Sequence, residues 1–135
     1  MTNAIYPKYK EAAIGGGANT DLLTETVKVA LVDTGTYTYS AAHEFYSSVS
    51  GVVGTPQTIG ATKSATNGTF DGADVTFTSV SGATVEALVI YVETGLGAGS
   101  DRLVAYLDTG ITGLPVTPNG GDITVTWDAA GIFTI

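Results

Sequence analysis

Two nearly continuous apolar segments, separated by a short glycine-rich stretch, constrain the fold of this chain more than any other feature. Residues 85–93 and 103–108 are apolar with few interruptions, and residues 94–100 between them contain three glycines. Runs of this length suit strands rather than helices, and strands buried on both faces show such unbroken hydrophobicity. We therefore predict two central strands joined by a hairpin loop.

Shorter segments predict further strands around this pair. Residues 75–78 and 123–128 alternate between apolar and polar side chains, which is the pattern of a strand with one buried face. Residues 58–66 are mostly polar and predict a strand that lies at an edge or faces solvent. Asn67 and Gly68 follow this strand, and they indicate a hairpin because both central residues of a type I′ turn need positive φ.

Two short helices are predicted in the first third of the chain. Pro7 suits the start of the first helix, and the glycines at 15–17 end it because of their backbone entropy. Either this helix packs on its own domain or the segment is an arm that orders against a neighbour. Apolar residues at helical spacing within 42–49 predict the second helix, with Ser40 as its N-cap.

Length and composition place these elements in one small β domain. The 135 residues predict a single domain spanning 1–135, with residues 1–25 as a helical or extended N-terminal arm. Abundant threonine favours strands, and 18 glycines favour tight turns. We predict an all-β fold, mainly β with one or two short helices, arranged as a jelly-roll-like β-sandwich of about 7–8 strands.

Charge restricts the classes of partner. The net charge is −8 and the five basic residues form no cluster, so we expect no nucleic-acid binding. No apolar run approaches the length of a membrane span, and the N-terminus lacks a signal-peptide core, so we expect no membrane partner and folding in a cytoplasm. With only 13% charged residues, two alternatives remain open: other subunits cover part of the surface, or hydroxyl groups supply its polarity.

Three strands end in the same way, with two apolar residues, an acidic residue, threonine and glycine. The acidic residues are Asp33, Glu93 and Asp108. Aspartic proteases present their catalytic carboxylates in this form, and Asp33 and Asp108 would be the pair that shares a proton. The third copy with Glu93 and the short chain favour plain turn chemistry instead. We predict turns and no enzyme, with an aspartic protease as a remote alternative. If the three strands run in the same direction, these turns form one acidic rim.

Other chemistry is sparse. The chain has no cysteine, and His43 is its only histidine, which removes most triads and the usual zinc sites. The glycines at 95–99 precede a strand rather than a helix, so they do not form a dinucleotide loop. Asp71 and Asp74 lack the spacing of a calcium loop. We predict no catalytic residue, no cofactor and no metal site.

Aromatic residues and prolines supply the candidate interface positions, because such side chains often anchor cores or subunit interfaces. We expect Trp127 and the tyrosines to do this rather than to form a sugar-binding platform. The candidate interface residues are Tyr6, Tyr9, Tyr37, Tyr39, Phe45, Tyr46, Pro115, Pro118 and Trp127.

Several segments of the chain resemble a family of small virion proteins of tailed bacteriophages. The resemblance covers nearly the whole chain, and its most distinctive pieces are residues 29–45 and 112–128. After Asp128 the chain is shorter than the family pattern. The matching segments are NAIYPKYKEA, KVALVDTGTYTYSAAHEF, ATVEALVIYVETG, RLVAYLDTG and GLPVTPNGGDITVTWD.

This resemblance implies a capsid decoration (cement) protein that binds the outside of the major capsid lattice and stabilises the head. It implies the major capsid protein as partner, a homo-oligomer such as a dimer or trimer, and a place on the virion surface after assembly in the bacterial cytoplasm. No catalytic residues come with it. The alternative is a structural or host-glycan-binding module of a tail or fibre, in which Trp127 and the loop tips at Gly97 and Pro118 meet glycans.

Overall fold

The computed structural model describes residues 3–60 and 62–135. Within them, ten strands form three antiparallel sheets and one short helix lies near the N-terminus, which confirms the all-β class. The strand order does not establish a jelly roll. Positions 1 and 2 of the predicted arm and position 61 of the predicted polar strand lie outside the described residues.

The longest stretch of the chain without a strand or α-helix spans residues 33–51. The helix α1 (Pro7–Ile14) comes after the first strand, and a single 3-10 turn spans Tyr46–Ser48. The strands are β1 (Ala4–Ile5), β2 (Thr26–Val32), β3 (Val52–Thr58), β4 (Ser64–Thr66), β5 (Thr69–Asp71), β6 (Val75–Phe77), β7 (Ala87–Glu93), β8 (Arg102–Leu107), β9 (Ile123–Val125) and β10 (Phe133–Thr134).

The largest sheet has the order β1-β8-β7-β2-β3, so the two predicted central strands lie next to each other near its middle. Every residue of β7 except Glu93 is buried, and so is every residue of β8 except Arg102. Leu88 pairs with Leu107, and residues 94–100 connect the two strands as the predicted hairpin loop. The continuous hydrophobicity of both strands therefore reflects burial on two faces.

The edges of this sheet are short or irregular. At one edge, β1 has only two residues and pairs with β8. At the other edge, β3 contains Pro56, which has no N–H to donate, and its pairing with β2 shifts register between Val29 and Leu31. Gly54, also in β3, has a φ of 72°.

The N-terminal segment packs on its own domain. Pro7 is at the start of α1, and the helix ends at Gly15, as the sequence predicts. The Tyr6 N–H donates a hydrogen bond of 2.9 Å to the Val104 carbonyl in β8. Tyr9 is buried on the inner side of the helix, and its hydroxyl donates to the Thr20 carbonyl at 2.8 Å. The start of the helix is thus tied to β8, and the Tyr9 side chain ties its first turn to the segment that follows the helix.

The two small sheets show how local patterns determined the pairing. β4 and β5 form the predicted hairpin, in which Asn67 and Gly68 have φ values of 52° and 79°. This agrees with the positive φ that a type I′ turn requires. In β6 and β9 the outer residues of each strand are buried and the middle ones exposed, as the alternation predicts.

The predicted polar strand over 58–66 is wrong in its extent. β3 ends at Thr58 and β4 begins only at Ser64. Ile59 turns inward between them, and its N–H donates to the Val27 carbonyl at 2.9 Å. Because this one apolar side chain is buried, residues 58–66 do not form a continuous polar strand.

The predicted helix over 42–49 is also wrong, because only the 3-10 turn Tyr46–Ser48 forms there. Phe45 has an extended backbone and forms a bridge with Arg102, whose guanidinium carbon lies 5.6 Å from the centre of the Phe45 ring. Tyr46 stacks on Tyr91 with ring centres 3.9 Å apart. Contacts with the sheet override the helical spacing of these apolar residues.

Gly51 directly precedes β3 and packs against the turn that follows β2, and its replacement by alanine should be destabilising. Gly51 has a φ of 66°, and an added Cβ would lie 2.8 Å from the Thr36 Cβ and 3.0 Å from the Asp33 carbonyl oxygen. We expect Gly51→Ala to lower the free energy of unfolding by about 2 kcal/mol, the cost of a left-handed alanine. Urea denaturation measures this.

Gly99→Ala is the matched control for that substitution. A Cβ added at Gly99 meets no atom within 4 Å, and the backbone there does not need a positive φ. We expect a change within about 0.5 kcal/mol. Equal losses in the two variants would contradict a specific role for the Gly51 conformation.

Candidate functional site

Two of the three acidic strand endings meet at one end of the large sheet, where β2 and β8 finish and β7 begins. Val32 at the end of β2 pairs with Ala87 at the start of β7, and Leu107 at the end of β8 pairs with Leu88. The end of β7 lies at the opposite end of the sheet, where Glu93 pairs with Thr26. The single acidic rim that would follow from three parallel strands is therefore wrong, because β7 is antiparallel to both neighbours.

The Asp33 carboxylate closes its own turn. One oxygen, Oδ1, accepts a 2.9 Å hydrogen bond from the Gly35 N–H, and Oδ2 accepts one of 3.2 Å from the Thr36 hydroxyl. The Asp33 carbonyl accepts from the N–H groups of Thr36 and Tyr37. This is the local side-chain capping that makes aspartate favourable in turns.

The other two endings use acceptors from elsewhere in the chain. In the turn after β7, Asp101 Oδ1 accepts from both the N–H and the hydroxyl of Thr94, each at 2.9 Å. In the turn after β8, Asn3 Oδ1 accepts from the N–H groups of Asp108 and Thr109, at 2.7 and 3.0 Å. The same tripeptide is therefore stabilised in three different ways.

Asp33 and Asp108 are not arranged as a catalytic pair. They follow β2 and β8, which are separated by β7, so their backbones are about two strand spacings, or 10 Å, apart. A protease dyad holds its carboxylates about 3 Å apart so that they share a proton. The Asp33 carboxylate is instead directed to Gly35 and Thr36.

A cavity of about 370 Å³ opens at the end of the large sheet where β2 and β8 finish. We call it the edge cavity. Three tyrosines and two carboxylates contribute to its wall, together with two threonines and a proline. Its lining residues are Thr34, Tyr37, Thr38, Tyr39, Glu86, Tyr106, Asp108 and Pro115.

Packed rings hold the aromatic wall of the edge cavity in place. Tyr39 is half-buried, and its ring centre lies 5.1 Å from that of Tyr6 and 5.4 Å from that of Tyr106. Tyr37 and Tyr106 are each only 2% exposed, with ring centres 6.3 Å apart. Tyr39 therefore presents most of the accessible aromatic surface, and the other two rings support it.

The charged side of the edge cavity is acidic. Glu86 Oε1 accepts a hydrogen bond of 3.2 Å from the Thr34 N–H, which fixes the carboxylate beside the turn after β2. Burial raises the pKa of Tyr106, and the negative potentials of Asp108 and Glu86 raise it further, as does Tyr37. The Tyr106 phenol therefore stays neutral beside a negatively charged wall.

Behind the cavity, a buried chain of polar groups links the N-terminal segment to residues 37–43. The hydroxyl oxygens of Tyr6 and Tyr37 are 2.7 Å apart, and the Tyr37 hydroxyl lies 2.9 Å from His43 Nδ1. Burial is the main cause that raises the pKa of both tyrosines. The only histidine of the chain is thus a hydrogen-bond partner of a neutral phenol.

The nine candidate interface residues are divided between the core and the surface. Tyr6, Tyr9, Tyr37 and Trp127 are at most 6% exposed, so in this fold their side chains make intramolecular contacts. The others are the half-buried Tyr39, Phe45, Tyr46 and Pro118 and the exposed Pro115.

The edge cavity brings together Tyr37, Tyr39 and Pro115 from that set. Phe45 and Tyr46 lie elsewhere, against Arg102 and Tyr91. Sequence reasoning missed Glu86, which directly precedes the apolar run of β7. The signal that would have found it is strand direction, since an antiparallel β7 must begin where β2 and β8 end.

Trp127 and the acidic residues near it are occupied within the fold. The indole N–H of Trp127 donates to the Ala73 carbonyl at 2.8 Å, and its backbone N–H donates to Asp74 Oδ1 at 3.0 Å. Asp71 Oδ1 accepts from the Gly72 N–H. Among the described residues, no three side chains of His, Cys, Asp or Glu gather as metal ligands. Trp127 is therefore a core residue and presents no exposed ring for a sugar.

None of the helical segments in the described part of the chain has the length and apolarity needed to cross a membrane. No protein-family model matches the chain, and no curated protein matches it either.

Proposed function

We propose that this chain is a capsid decoration (cement) protein of a tailed bacteriophage, which binds the outside of the major capsid lattice and stabilises the head. The observation that carries the proposal is the resemblance of segments spanning most of the chain to small phage virion proteins, above all residues 29–45 and 112–128. These two segments contribute the edge cavity residues Thr34, Tyr39 and Pro115.

The physical properties of the fold suit this role. A cement protein works by binding, so it needs a stiff body and exposed surfaces that neighbours can cover. The central strands β7 and β8 are almost completely buried, which gives the stiff body. The net charge of −8 disfavours adhesion to the phage genome during assembly.

The proposal includes the major capsid protein as partner and a place on the capsid surface of the virion. The protein would act as a homo-oligomer, a dimer or trimer at the symmetry axes of the lattice. Each copy would bridge capsid subunits, and many modest contacts would add up through multivalency.

A co-sedimentation experiment tests the proposal. Purified protein is mixed with expanded capsids of its phage that lack it, and with capsids of an unrelated phage as the control. We expect saturable binding to the first at a fixed number of copies per capsid, together with greater resistance of those capsids to heating. The absence of saturable binding to the cognate capsids would reject the proposal.

The alternative, a tail or fibre module that binds host glycans, cannot be tested by substituting Trp127. Trp127 is 6% exposed, so Trp127→Ala would report on folding rather than on glycan contact. A glycan array with wild-type protein and with a variant of the exposed Leu96 loop tip avoids this problem. Glycan binding that the Leu96 substitution abolishes would favour the alternative.

A further inference from the structure

The edge cavity combines a fixed aromatic surface with carboxylates, and this combination defines the chemistry of what it can bind. We propose that it binds a basic side chain, an arginine or lysine, of a protein partner. The identity of that partner as a capsid subunit rests on the proposed function, whereas the chemistry of the cavity does not.

Glu86 provides the anchor for a cation. Its carboxylate is held by the Thr34 N–H at 3.2 Å, so its position is set before any ligand arrives. A carboxylate has about four acceptor sites, so Glu86 can accept a guanidinium or ammonium N–H in addition to the bond from Thr34. Hydrogen bonds between two charged groups are about twice as strong as neutral ones.

Tyr39 provides the second contact. Its half-buried ring is braced by Tyr6 and Tyr106 at 5.1 and 5.4 Å, so it loses little freedom when a ligand covers it. A cation over an aromatic face is attracted by the ring quadrupole, by about 0.5–1 kcal/mol at exposed sites and more when desolvated. Arginine adds planar stacking to this attraction.

Other ligand classes fit less well. Phosphate and other anions meet the carboxylates of Glu86 and Asp108, which line the same wall. The volume of about 370 Å³ lies near the lower limit for small-molecule pockets, and a single side chain entering from a partner surface needs no more.

The chain's own basic groups are largely engaged elsewhere. Ion pairs join Lys8 to Glu11 at 3.2 Å, Lys28 to Glu93 at 3.0 Å and Arg102 to Glu44 at 3.7 Å. Lys63 donates to the Glu25 carbonyl. A basic side chain that pairs with the Glu86 carboxylate in the edge cavity would therefore come from another molecule.

The first experiment uses L-arginine amide as a probe for the cavity. It is titrated into isotope-labelled protein while the ring resonances of Tyr39 and Tyr106 are followed by NMR. Citrulline amide serves as the control of similar shape, because it keeps the α-ammonium group but has an uncharged ureido side chain. We expect saturable shifts with arginine amide at a Kd of about 1 mM, corresponding to roughly −4 kcal/mol. Equal shifts with the two probes, or none with arginine amide, would overturn the proposal.

Variants assign the binding to the two anchors. Glu86→Gln keeps an acceptor for the Thr34 N–H, and we expect it to weaken arginine amide binding at least tenfold. Glu25→Gln removes the same charge just before β2, at the opposite end of the sheet, and should leave binding unchanged. Tyr39→Ala should weaken binding, whereas Tyr39→Phe keeps the ring and should not. Equal affinities for the Glu86 and Glu25 variants would contradict the assignment.

The capsid assay separates this inference from the proposed function. If wild-type protein binds capsids, we expect Glu86→Gln to lower its affinity at least tenfold and Glu25→Gln to have no effect. Capsid binding that is unchanged in Glu86→Gln would reject the cavity as the contact and leave the proposed function standing. Arginine amide binding without capsid binding would support the cavity and reject the proposed function.

Discussion

Replacing Tyr6 with alanine is expected to lower the free energy of unfolding by about 3–5 kcal/mol, the usual cost of truncating a buried aromatic ring. Tyr6 is fully buried, its N–H bonds to Val104, and its hydroxyl lies 2.7 Å from that of Tyr37. Its ring also supports Tyr39 at 5.1 Å. With an m-value of about 2 kcal/mol per molar urea, the unfolding midpoint should fall by about 2 M.

Two control variants separate the parts of this effect. Tyr6→Phe keeps the ring and removes only the hydroxyl contact with Tyr37, so we expect a loss of about 1 kcal/mol. Ile14→Ala changes an exposed residue of the same helix and should have almost no effect, because that side chain is 88% exposed. If Tyr6→Ala were as stable as the wild type, the N-terminal segment would be an arm rather than part of the fold.

Removing the Asp101 carboxylate is expected to destabilise the protein by about 3 kcal/mol. Asp101 is 6% exposed and accepts two hydrogen bonds from Thr94, through its N–H and its hydroxyl. Bonds to a charged acceptor contribute about 1.5–3 kcal/mol each, and a buried donor left without a partner is costly. Asp101→Ala would loosen the loop that connects β7 and β8, and thermal unfolding measures the loss.

The controls for Asp101 follow from the geometry of the loop. Asp101→Asn keeps one side-chain oxygen as an acceptor, so we expect it to lose only about 1 kcal/mol. Leu96→Ala alters the exposed tip of the same loop, where the side chain is 81% exposed, and should be neutral. If Asp101→Ala behaved like Leu96→Ala, the carboxylate would not be what holds the turn.

Local patterns were sufficient to predict the parts of the fold that depend on neighbours in sequence. The hairpin at Asn67 and Gly68 follows from the φ values that its turn requires. The start of α1 at Pro7 and its end at Gly15 follow from backbone restrictions of those residue types. The buried strands β7 and β8 follow from the length and continuity of their apolar runs.

Long-range contacts account for the errors. Apolar spacing around Phe45 and Tyr46 fits a helix, but these rings pack against Arg102 and Tyr91, more than 40 residues away. The spacing of apolar side chains along a segment does not specify which distant surface they meet. The same limit explains why the inward turn at Ile59 was not predicted.

The candidate site was only partly predictable for the same reason. The tyrosines and the acidic strand endings were identified as separate features of the sequence. Their grouping depends on the antiparallel direction of β7, which places Glu86 beside Thr34 and Glu93 at the opposite end of the sheet. Strand direction is a property of the whole sheet, so no local motif encodes the edge cavity.

The irregular edge strands of the large sheet affect how two molecules of this protein can contact each other. An open, regular edge strand would let one molecule add to the sheet of the next, and crowded copies would then polymerise into fibres. The two-residue β1 and the proline-containing β3 offer no such template. Molecules of this protein that come into contact would therefore meet through side chains and loops rather than by extending one another's large sheet.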